Sequence, residues 1–437
     1  MTQAGPDERS SLVRVRSAPM TRTREPNEIE WNGVLPTRAE EAGFDPVRLV
    51  RLGGALSAMV QAGRLAGASV LVSRRGTVVC RFATGAADRE RGVSFDADTL
   101  VRIYSMTKPV VSAVLLSLFE EGRFGLDDPV GDYLPAFAEP RVVDDPAGDP
   151  THSHPAKRQL TVRHLLTHTA GLTYGFLGER PLDAAYVHAR LEPGAFPGDL
   201  AGFVDELATM PLLFEPGTAW NYSVATDVVG RLAEVLGGAS LDQLVATRLT
   251  GPLGMANTAF HVPGGEGERL AACYQWRDGA LAKLESGPGS RWCRPPGVLS
   301  GGGGLVSTLD DYHRFARALC AGGTLDGASV LGRRTVGLMT ANHLPGGRDV
   351  AEMGRPDFNG PMAGYGFGLG PAVFVDPVAA GTPVSPGTWT WGGAASTTFF
   401  VDPAEEIVGI LLTQLVPSST WPLARLLQVL TYGALLR

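Results

Sequence analysis

A serine and a lysine stand three residues apart in the segment Ser105-Met106-Thr107-Lys108, directly before a long apolar stretch. If this segment is helical, positions i and i+3 share one face, so the Lys108 amine can reach the Ser105 hydroxyl. A serine hydroxyl attacks a carbonyl poorly at neutral pH unless a neighbouring base takes its proton, and a lysine can do so when burial favours the neutral amine. The spacing therefore predicts Ser105 as a nucleophile and Lys108 as its base.

The same four residues can also be a helix N-cap followed by an exposed lysine, which is an ordinary structural use of such a sequence. Composition favours the catalytic interpretation. Arginine carries almost all of the positive charge, and the only lysines in the chain are Lys108, Lys157 and Lys283. A lysine kept beside an apolar run suggests a need for a group that can lose its proton, which arginine cannot do.

Two further segments carry candidate chemistry. Tyr222 follows a Pro-Gly turn and precedes a predicted helix; it can be a plain aromatic anchor or, with a lysine nearby, a proton relay. Trp391, Gly392 and Gly393 lie at the end of a β-rich run, where paired glycines indicate a bulge or a close backbone approach. A ligand against that run could receive a backbone N–H, and the N–H of Ser105 at a helix N-terminus would complete an oxyanion hole.

In order and spacing, these three segments resemble the motifs of the serine β-lactamase and penicillin-binding-protein superfamily, whose signature includes S-x-x-K. More narrowly, the chain is similar to the β-lactamase-like esterases often called family VIII carboxylesterases. The resemblance runs from about Phe44 to the C-terminus. It includes the segments 165–172 (LLTHTAGL) and 301–312, besides Tyr222 and its following serine.

The resemblance implies a role for each candidate residue. Ser105 would form an acyl-enzyme after Lys108 takes its proton, and Tyr222 would share in proton transfer to and from the leaving group. The backbone N–H groups of Ser105 and Ala394 would hold the oxyanion of the tetrahedral intermediate. The substrate pocket would be lined by the third segment, Trp391, Gly392 and Gly393. No metal and no cofactor are implied.

Two departures from the lactamase pattern favour a neutral ester as substrate. Penicillin-processing members usually have an asparagine two residues after the tyrosine, where this chain has Val224, which cannot hydrogen-bond a lactam side-chain amide. Their third motif usually begins with lysine or histidine, and the neutral indole of Trp391 cannot attract a carboxylate as an ammonium would.

The sequence therefore predicts a serine hydrolase that cleaves small carboxylic esters. One alternative keeps the acyl-enzyme but transfers the acyl group to an alcohol or amine, as in acyltransferases of natural-product metabolism. A weak β-lactamase or D-amino-acid peptidase is another. A non-catalytic binding protein that retains the fold is the alternative from a different class, and the presence of Ser105, Lys108 and Tyr222 together argues against it.

Three residues near these motifs are interpreted as structural. His168 lies on a run that ends in Ala-Gly, so we expect a helix-terminal hydrogen-bonding residue rather than a triad base. Asp227 and the pair Asp310-Asp311 are expected near helix N-termini, where carboxylates are stabilised.

Composition limits the remaining possibilities. The net charge of −7, with no basic stripe, argues against nucleic acid as a partner. Residues 1–32 have no apolar core of the kind found in a signal peptide, and no window suggests a membrane span, so a cytoplasmic enzyme is expected. His152 and His154 have no third ligand candidate nearby, which argues against a metal site there. The sequence does not predict the oligomeric state.

At 437 residues the chain exceeds a typical single core, which suggests two subdomains. A hairpin is predicted at 67–82, and β-like runs recur at 387–391, 397–401 and 407–412, whereas helical patterns dominate 160–254. This arrangement predicts an α+β fold of the β-lactamase and transpeptidase type, with an antiparallel sheet built from both chain termini and flanked by helices, and with a mostly helical inserted subdomain. The predicted boundaries are a disordered tail at 1–32, an α/β subdomain at 33–125 and 296–437, and the helical subdomain at 126–295. Loops at 139–158 and 180–198 are expected to shape the cleft.

Overall fold

The computed structural model of the chain describes residues 33–178, 180–354 and 362–437, so the predicted tail at 1–32 lies outside the described residues. The strands in these ranges are β1 (Gly67–Arg74), β2 (Thr77–Asp88), β3 (Val93–Ser94), β4 (Val101–Arg102), β5 (Arg141–Val143), β6 (Ser153–Pro155), β7 (Cys273–Arg277), β8 (Ala280–Glu285), β9 (Val306–Ser307), β10 (Thr324–Leu325), β11 (Ala328–Ser329), β12 (Tyr365–Phe367), β13 (Ala372–Phe374), β14 (Trp389–Gly392), β15 (Thr398–Asp402), β16 (Ile407–Thr413) and β17 (Leu415–Val416). The α-helices are α1 (Pro36–Glu41), α2 (Pro46–Gln61), α3 (Thr107–Glu120), α4 (Val162–Leu166), α5 (Pro181–His188), α6 (Leu200–Leu207), α7 (Ala225–Gly237), α8 (Leu241–Val245), α9 (Leu309–Cys320), α10 (Arg333–Met339), α11 (Val350–Met353), α12 (Pro377–Ala380) and α13 (Leu423–Tyr432).

The central element is an eight-stranded antiparallel sheet in the order β12-β13-β14-β15-β16-β1-β2-β3. The predicted hairpin forms its β1–β2 pair, and β1 pairs with β16, so that Val70 lies opposite Leu411. β1 and β16 are both buried along their whole length, which explains why their sequences are nearly continuous apolar runs. The prediction of an α+β fold whose sheet joins the two chain termini is confirmed.

Helices cover both faces of this sheet. On one face, α2 and α13 pack against apolar side chains such as Val70 and Leu411. The N-terminus of α2 is capped by Asp45, whose carboxylate accepts the Val47 N–H at 2.9 Å. On the other face, α9 packs against β16, and α3 belongs to the large core that also contains Ile410. Ser105 directly precedes α3, so its position is set by a helix that packs in the buried core beside the sheet.

Helices also dominate residues 160–254, as predicted. The long α7 packs against α3 and α4, which brings the segment before α7 close to the start of α3. The prediction of a loop throughout 180–198 is wrong, because Pro181–His188 is helical. Pro181 occupies the first turn, where its missing N–H costs nothing, and Leu182 and Tyr186 are both buried on one face. The boundaries of the two proposed subdomains stay a prediction.

The described helices are short. The longest, α2, has 16 residues, and in the ranges that the structure covers no helix is long and apolar enough to cross a membrane.

Candidate active site

Ser105 lies in a short 3₁₀ turn, Tyr104–Met106, that leads directly into α3. The helix behind it is buried on nearly all sides, so it gives the turn a rigid support. Tyr104 has a φ of 43°, in the left-handed region that non-glycine residues seldom adopt. Such backbone strain is common at functional positions, and here it immediately precedes the serine hydroxyl.

Lys108 is fully buried, and its amine lies at the centre of the cluster. Nζ donates hydrogen bonds to Ser105 Oγ at 3.3 Å, to Tyr174 Oη at 3.0 Å and to the Gly302 carbonyl at 2.7 Å. An ammonium can make all three of these bonds. A neutral amine could keep two of them and accept the Ser105 proton on its lone pair, so the same geometry suits both protonation states.

Tyr222, in the segment that precedes α7, contacts the same hydroxyl. Its Oη donates to Ser105 Oγ at 2.5 Å, and its ring centroid lies 4.5 Å from Lys108 Nζ. The backbone beside it is fixed because the Asn221 N–H donates to the His168 carbonyl at 2.9 Å. The structure therefore brings the hydroxyl, the amine and the phenol that the sequence singled out into one cluster.

His168 lies just beyond the end of α4 rather than within a triad. Its Nδ1 is 3.1 Å from Ser223 Oγ, and its ring packs against Tyr222 with centroids 5.0 Å apart. Complete burial, with the Lys108 charge nearby, holds the pKa of His168 well below its usual value. A neutral imidazole in this place supports the Tyr222 ring.

The third predicted segment lies beside the Ser105 turn. At Gly393 a Cβ atom would overlap the Ile103 carbonyl oxygen, so only glycine lets the end of β14 come this close to the turn. Trp391 is almost fully buried, and its ring centroid is 5.5 Å from that of Tyr222. Ala394 lines the same cleft as Ser105. The use of the Ser105 and Ala394 N–H groups as an oxyanion hole stays a prediction.

The sequence interpretation missed Tyr174. Its hydroxyl accepts from Lys108, and its ring lies 5.2 Å from that of Tyr222. Burial, together with the negative charges of nearby acids, raises the pKa of Tyr174 well above its usual value, so the phenol stays protonated. The residue follows the segment 165–172 by two positions, and that segment offered the only sequence signal for it.

Asp227 lies in the first turn of α7, as predicted, and it also holds the turn that contacts Lys108. Its Oδ1 accepts from Ser300 Oγ at 2.6 Å and from the Gly302 N–H at 3.1 Å. Because the Gly302 carbonyl receives the Lys108 amine, this carboxylate fixes one of the three acceptors of Nζ. Burial raises the pKa of Asp227, which is completely enclosed.

These groups open into a cleft of about 1270 Å³. Its lining is rich in aromatic side chains: Tyr104, Tyr174, Phe176, Phe196, Tyr222, Phe260, Trp292, Tyr365, Trp391 and Trp421. In the part of the chain that the structure describes, the charged residues of the lining are Glu192, Arg291 and Arg294. Burial raises the pKa of Glu192 to about 7. The segment 180–198 contributes residues to the lining as expected, whereas 139–158 contributes none of the described ones.

In the described ranges, no group of three or more His, Cys, Asp or Glu side chains could hold a metal ion. His154, weighed above as a ligand candidate, instead lies on the β5–β6 hairpin with its Nδ1 2.6 Å from Asp144 Oδ1.

The chain is similar to known proteins in both sequence and fold. Residues 53–432 match the family model described as Beta-lactamase. Esterase EstB from Burkholderia gladioli is 37% identical over 385 residues, which cover 83% of this chain and 89% of that protein. Acyltransferase calJ from Penicillium decumbens is 30% identical over 346 residues, covering 75% and 79%. The solved structure titled EstCE1, a hydrolase with promiscuous acyltransferase activity, superimposes with a TM-score of 0.75 at 29% identity and covers 89% of this chain and 99% of its own.

Proposed function

The chain belongs to the Beta-lactamase family, and we propose that it hydrolyses small carboxylic esters through an acyl-enzyme on Ser105. One observation carries this proposal: the Ser105 hydroxyl touches both the Lys108 amine and the Tyr222 phenol at the edge of an open aromatic cleft. A nucleophile with two proton-transfer groups in direct contact is the arrangement that acyl transfer requires. EstB, 37% identical, is named an esterase, which supports the same activity here.

Acylation follows from these contacts. Lys108, when neutral, takes the Ser105 proton as Oγ attacks the ester carbonyl. The N–H groups of Ser105 and Ala394 stabilise the oxyanion that develops. Tyr222 then gives its proton to the leaving alcohol and recovers one from the Lys108 ammonium, so the alcohol departs uncharged and the acyl group stays on Ser105.

Deacylation reverses these proton movements. A water molecule in the cleft attacks the acyl carbonyl while the Tyr222–Lys108 pair accepts its proton, and Ser105 Oγ leaves with a proton returned to it. Tyr174 and the Gly302 carbonyl take no proton in this scheme. They hold Nζ in reach of Ser105 in both protonation states, which makes them positioning groups.

Two uncharged side chains at motif positions support an ester rather than a carboxylated lactam. Val224 is completely buried at the start of α7, and Trp391 packs its indole against Tyr222. Neither side chain offers a charge or a hydrogen-bond acceptor and donor pair of the kind that a penicillin carboxylate and amide would use.

Intact-protein mass spectrometry tests the proposal. After brief exposure to p-nitrophenyl butyrate, we expect a butyryl adduct on Ser105 together with steady release of p-nitrophenol. The Ser105→Ala variant should show neither, and a cephalosporin given to the unmodified protein should leave a much smaller adduct. Steady release from Ser105→Ala would exclude the covalent mechanism.

Acyl transfer to an alcohol is the second candidate function. It uses the same acyl-enzyme, with an alcohol in place of water. The size of the cleft favours it, because about 1270 Å³ exceeds the space that a small ester needs, and calJ, 30% identical, is named an acyltransferase. Product analysis with vinyl butyrate and an added alcohol measures the share of acyl-enzyme that goes to ester rather than to butyrate.

A further inference from the structure

Phe176 is a large aromatic side chain left 62% exposed at the cleft, whereas the other aromatic side chains of the lining are buried or half-buried. Its ring stacks on that of Tyr174, with centroids 4.7 Å apart and planes at 26°. Tyr174 in turn receives the Lys108 amine. The two rings therefore form an aromatic stack, named here the Tyr174–Phe176 wall, that extends from the Lys108 amine towards solvent and ends in the exposed Phe176 ring.

The backbone keeps this exposed ring in place. Phe176 lies in the short 3₁₀ turn Gly175–Leu177, and its N–H donates to Glu192 Oε1 at 3.3 Å. A Cβ atom at Gly175 would lie 2.8 Å from the Val187 side chain, so the turn is packed tightly on α5. Leu177 packs into the main core. An apolar ring held rigidly in water, rather than folded inward, is suited to bind an apolar group at low cost in conformational entropy.

The positions of the oxyanion-binding N–H groups and of the proton donors determine which part of an ester lies against this wall. In the tetrahedral intermediate, the oxyanion faces the N–H groups of Ser105 and Ala394, while the leaving oxygen must face the proton donors Tyr222 and Lys108. Tyr174 lies on the side of those donors, in contact with both. The group attached to the leaving oxygen therefore extends along the wall.

We propose that the Tyr174–Phe176 wall is the alcohol subsite of the enzyme, selective for alcohols that carry an aromatic or similarly flat apolar ring, and that Phe176 is its specificity-determining residue. This inference rests on the proposed acyl-enzyme function. In hydrolysis the subsite binds the departing alcohol. In acyl transfer the subsite binds the acceptor alcohol. The alcohol oxygen bonds to the acyl carbon and its proton passes to the Tyr222–Lys108 pair. The bond to Ser105 Oγ breaks as that oxygen regains a proton.

Matched esters with one fixed acyl group test this assignment. We would compare kcat/KM for 2-phenylethyl butyrate and ethyl butyrate in the unmodified enzyme, in Phe176→Ala and in Leu284→Ala. Leu284 on β8 is a fitting control because it is an apolar side chain of similar exposure, 54%, that does not line the cleft. We expect Phe176→Ala to lower the preference for the phenylethyl ester about tenfold through lost stacking and burial, with ethyl butyrate changed less than about twofold. Leu284→Ala should leave the preference unchanged.

Two further measurements separate the possible outcomes. With vinyl butyrate as acyl donor, Phe176→Ala should also lower the yield of 2-phenylethyl butyrate relative to butyrate about tenfold, but not the yield of ethyl butyrate. With ethyl 4-phenylbutyrate, whose ring is on the acyl side, the variant should be nearly normal. An equal loss for all esters, no loss for the phenylethyl ester, or a loss confined to the acyl-side ring would overturn the assignment. Each of these leaves the acyl-enzyme intact, whereas failure of the acyl-enzyme would show in the Ser105→Ala experiment.

Discussion

Ser73 and Ser105 each have a hydroxyl in contact with a potential base, and of these two serines only Ser105 lies at the cleft. Ser73 on β1 has its Oγ 2.8 Å from His313 Nε2 on α9, a shorter contact than the 3.3 Å between Ser105 Oγ and Lys108 Nζ. Yet Ser73 is 1% exposed and sealed between sheet and helix, whereas Ser105 lines the cleft. A close contact between hydroxyl and base is therefore not enough to identify an active site.

The buried Ser73 pair has an uncharged base. Burial lowers the pKa of His313 to about 4, so at neutral pH its imidazole is uncharged. What the Ser73 pair lacks is space for a substrate, while the Ser105 cluster adds a phenol in contact and a glycine-rich strand end beside it. Substrate access and a second proton donor therefore distinguish the candidate active site at Ser105 from the Ser73–His313 contact.

The largest effect should come from removing each hydroxyl in turn. We expect Ser105→Ala to lower kcat/KM for p-nitrophenyl butyrate about 10⁵-fold, since the covalent step disappears. Ser73→Ala should leave kcat/KM nearly unchanged and instead lower the free energy of unfolding by about 1–3 kcal/mol, because the buried imidazole loses its partner. Steady-state kinetics and urea unfolding of the two variants measure both quantities. Comparable losses of activity in the two would break the distinction between the pairs.

Lys108→Arg should come next, with a loss of about 10⁴-fold in kcat/KM. A guanidinium keeps a positive charge but cannot accept the Ser105 proton, so the substitution separates the two properties of the lysine. Burst kinetics with the same ester show whether acylation itself is lost. The Arg variant must first be shown to be folded by circular dichroism, and Lys108→Met, which removes the charge as well, is a suitable companion. Full activity in either variant would assign Lys108 a structural role.

Tyr222→Phe should cost about 10³-fold in kcat/KM, less than Lys108→Arg, because Lys108 can still take the serine proton while the leaving group goes without its donor. The loss should shrink for esters with acidic alcohols, such as p-nitrophenyl esters, and be greatest for ethyl esters, whose leaving oxygen needs protonation. Tyr174→Phe is the matched control, since it removes a hydroxyl that holds Nζ but donates no proton to substrate. Equal losses for both leaving groups would argue that Tyr222 acts only in positioning.

Sequence patterns predicted the elements well where the signal is local. The hairpin at 67–82 and the strands near the C-terminus appear where apolar periodicity and turn residues indicated them. The 3.6-residue repeat also predicted the contact between Ser105 and Lys108, because both lie on one turn of the chain. By contrast, α5 was missed because its apolar face consists of only two buried positions in eight residues.

Contacts between distant segments needed the structure or a known motif. Tyr174 and Lys108 are 66 residues apart, and nothing in the local pattern around Tyr174 distinguishes it from a core aromatic residue. Asp227 was recognised only as a helix-start charge, since its bond to the Gly302 N–H depends on a turn 75 residues away. Similarly, no sequence signal shows that Ser73 faces His313, so the comparison of the two serines could be made only from the fold.

The smallest expected effect concerns the buried Ser73–His313 pair and the pH dependence of its contribution to stability. A histidine whose pKa falls from its usual 6.5 to about 4 on folding stabilises the protein above pH 6.5 and loses that contribution as the pH falls towards 4, because the unfolded chain then binds a proton that the folded one excludes. The shift corresponds to about 3 kcal/mol for His313. We therefore expect His313→Gln to show a loss of unfolding free energy between pH 7 and pH 4 that is about 3 kcal/mol smaller than in the unmodified protein. Esterase activity at pH 7.5 should remain near normal, since His313 does not line the cleft. Urea unfolding at the two pH values measures the difference, and His164 and His168, present in both proteins, cancel from it. An identical acid loss in the two proteins would mean that His313 can be protonated in the folded state, and the contrast between a sealed and an open hydroxyl would then have to rest on the kinetics alone.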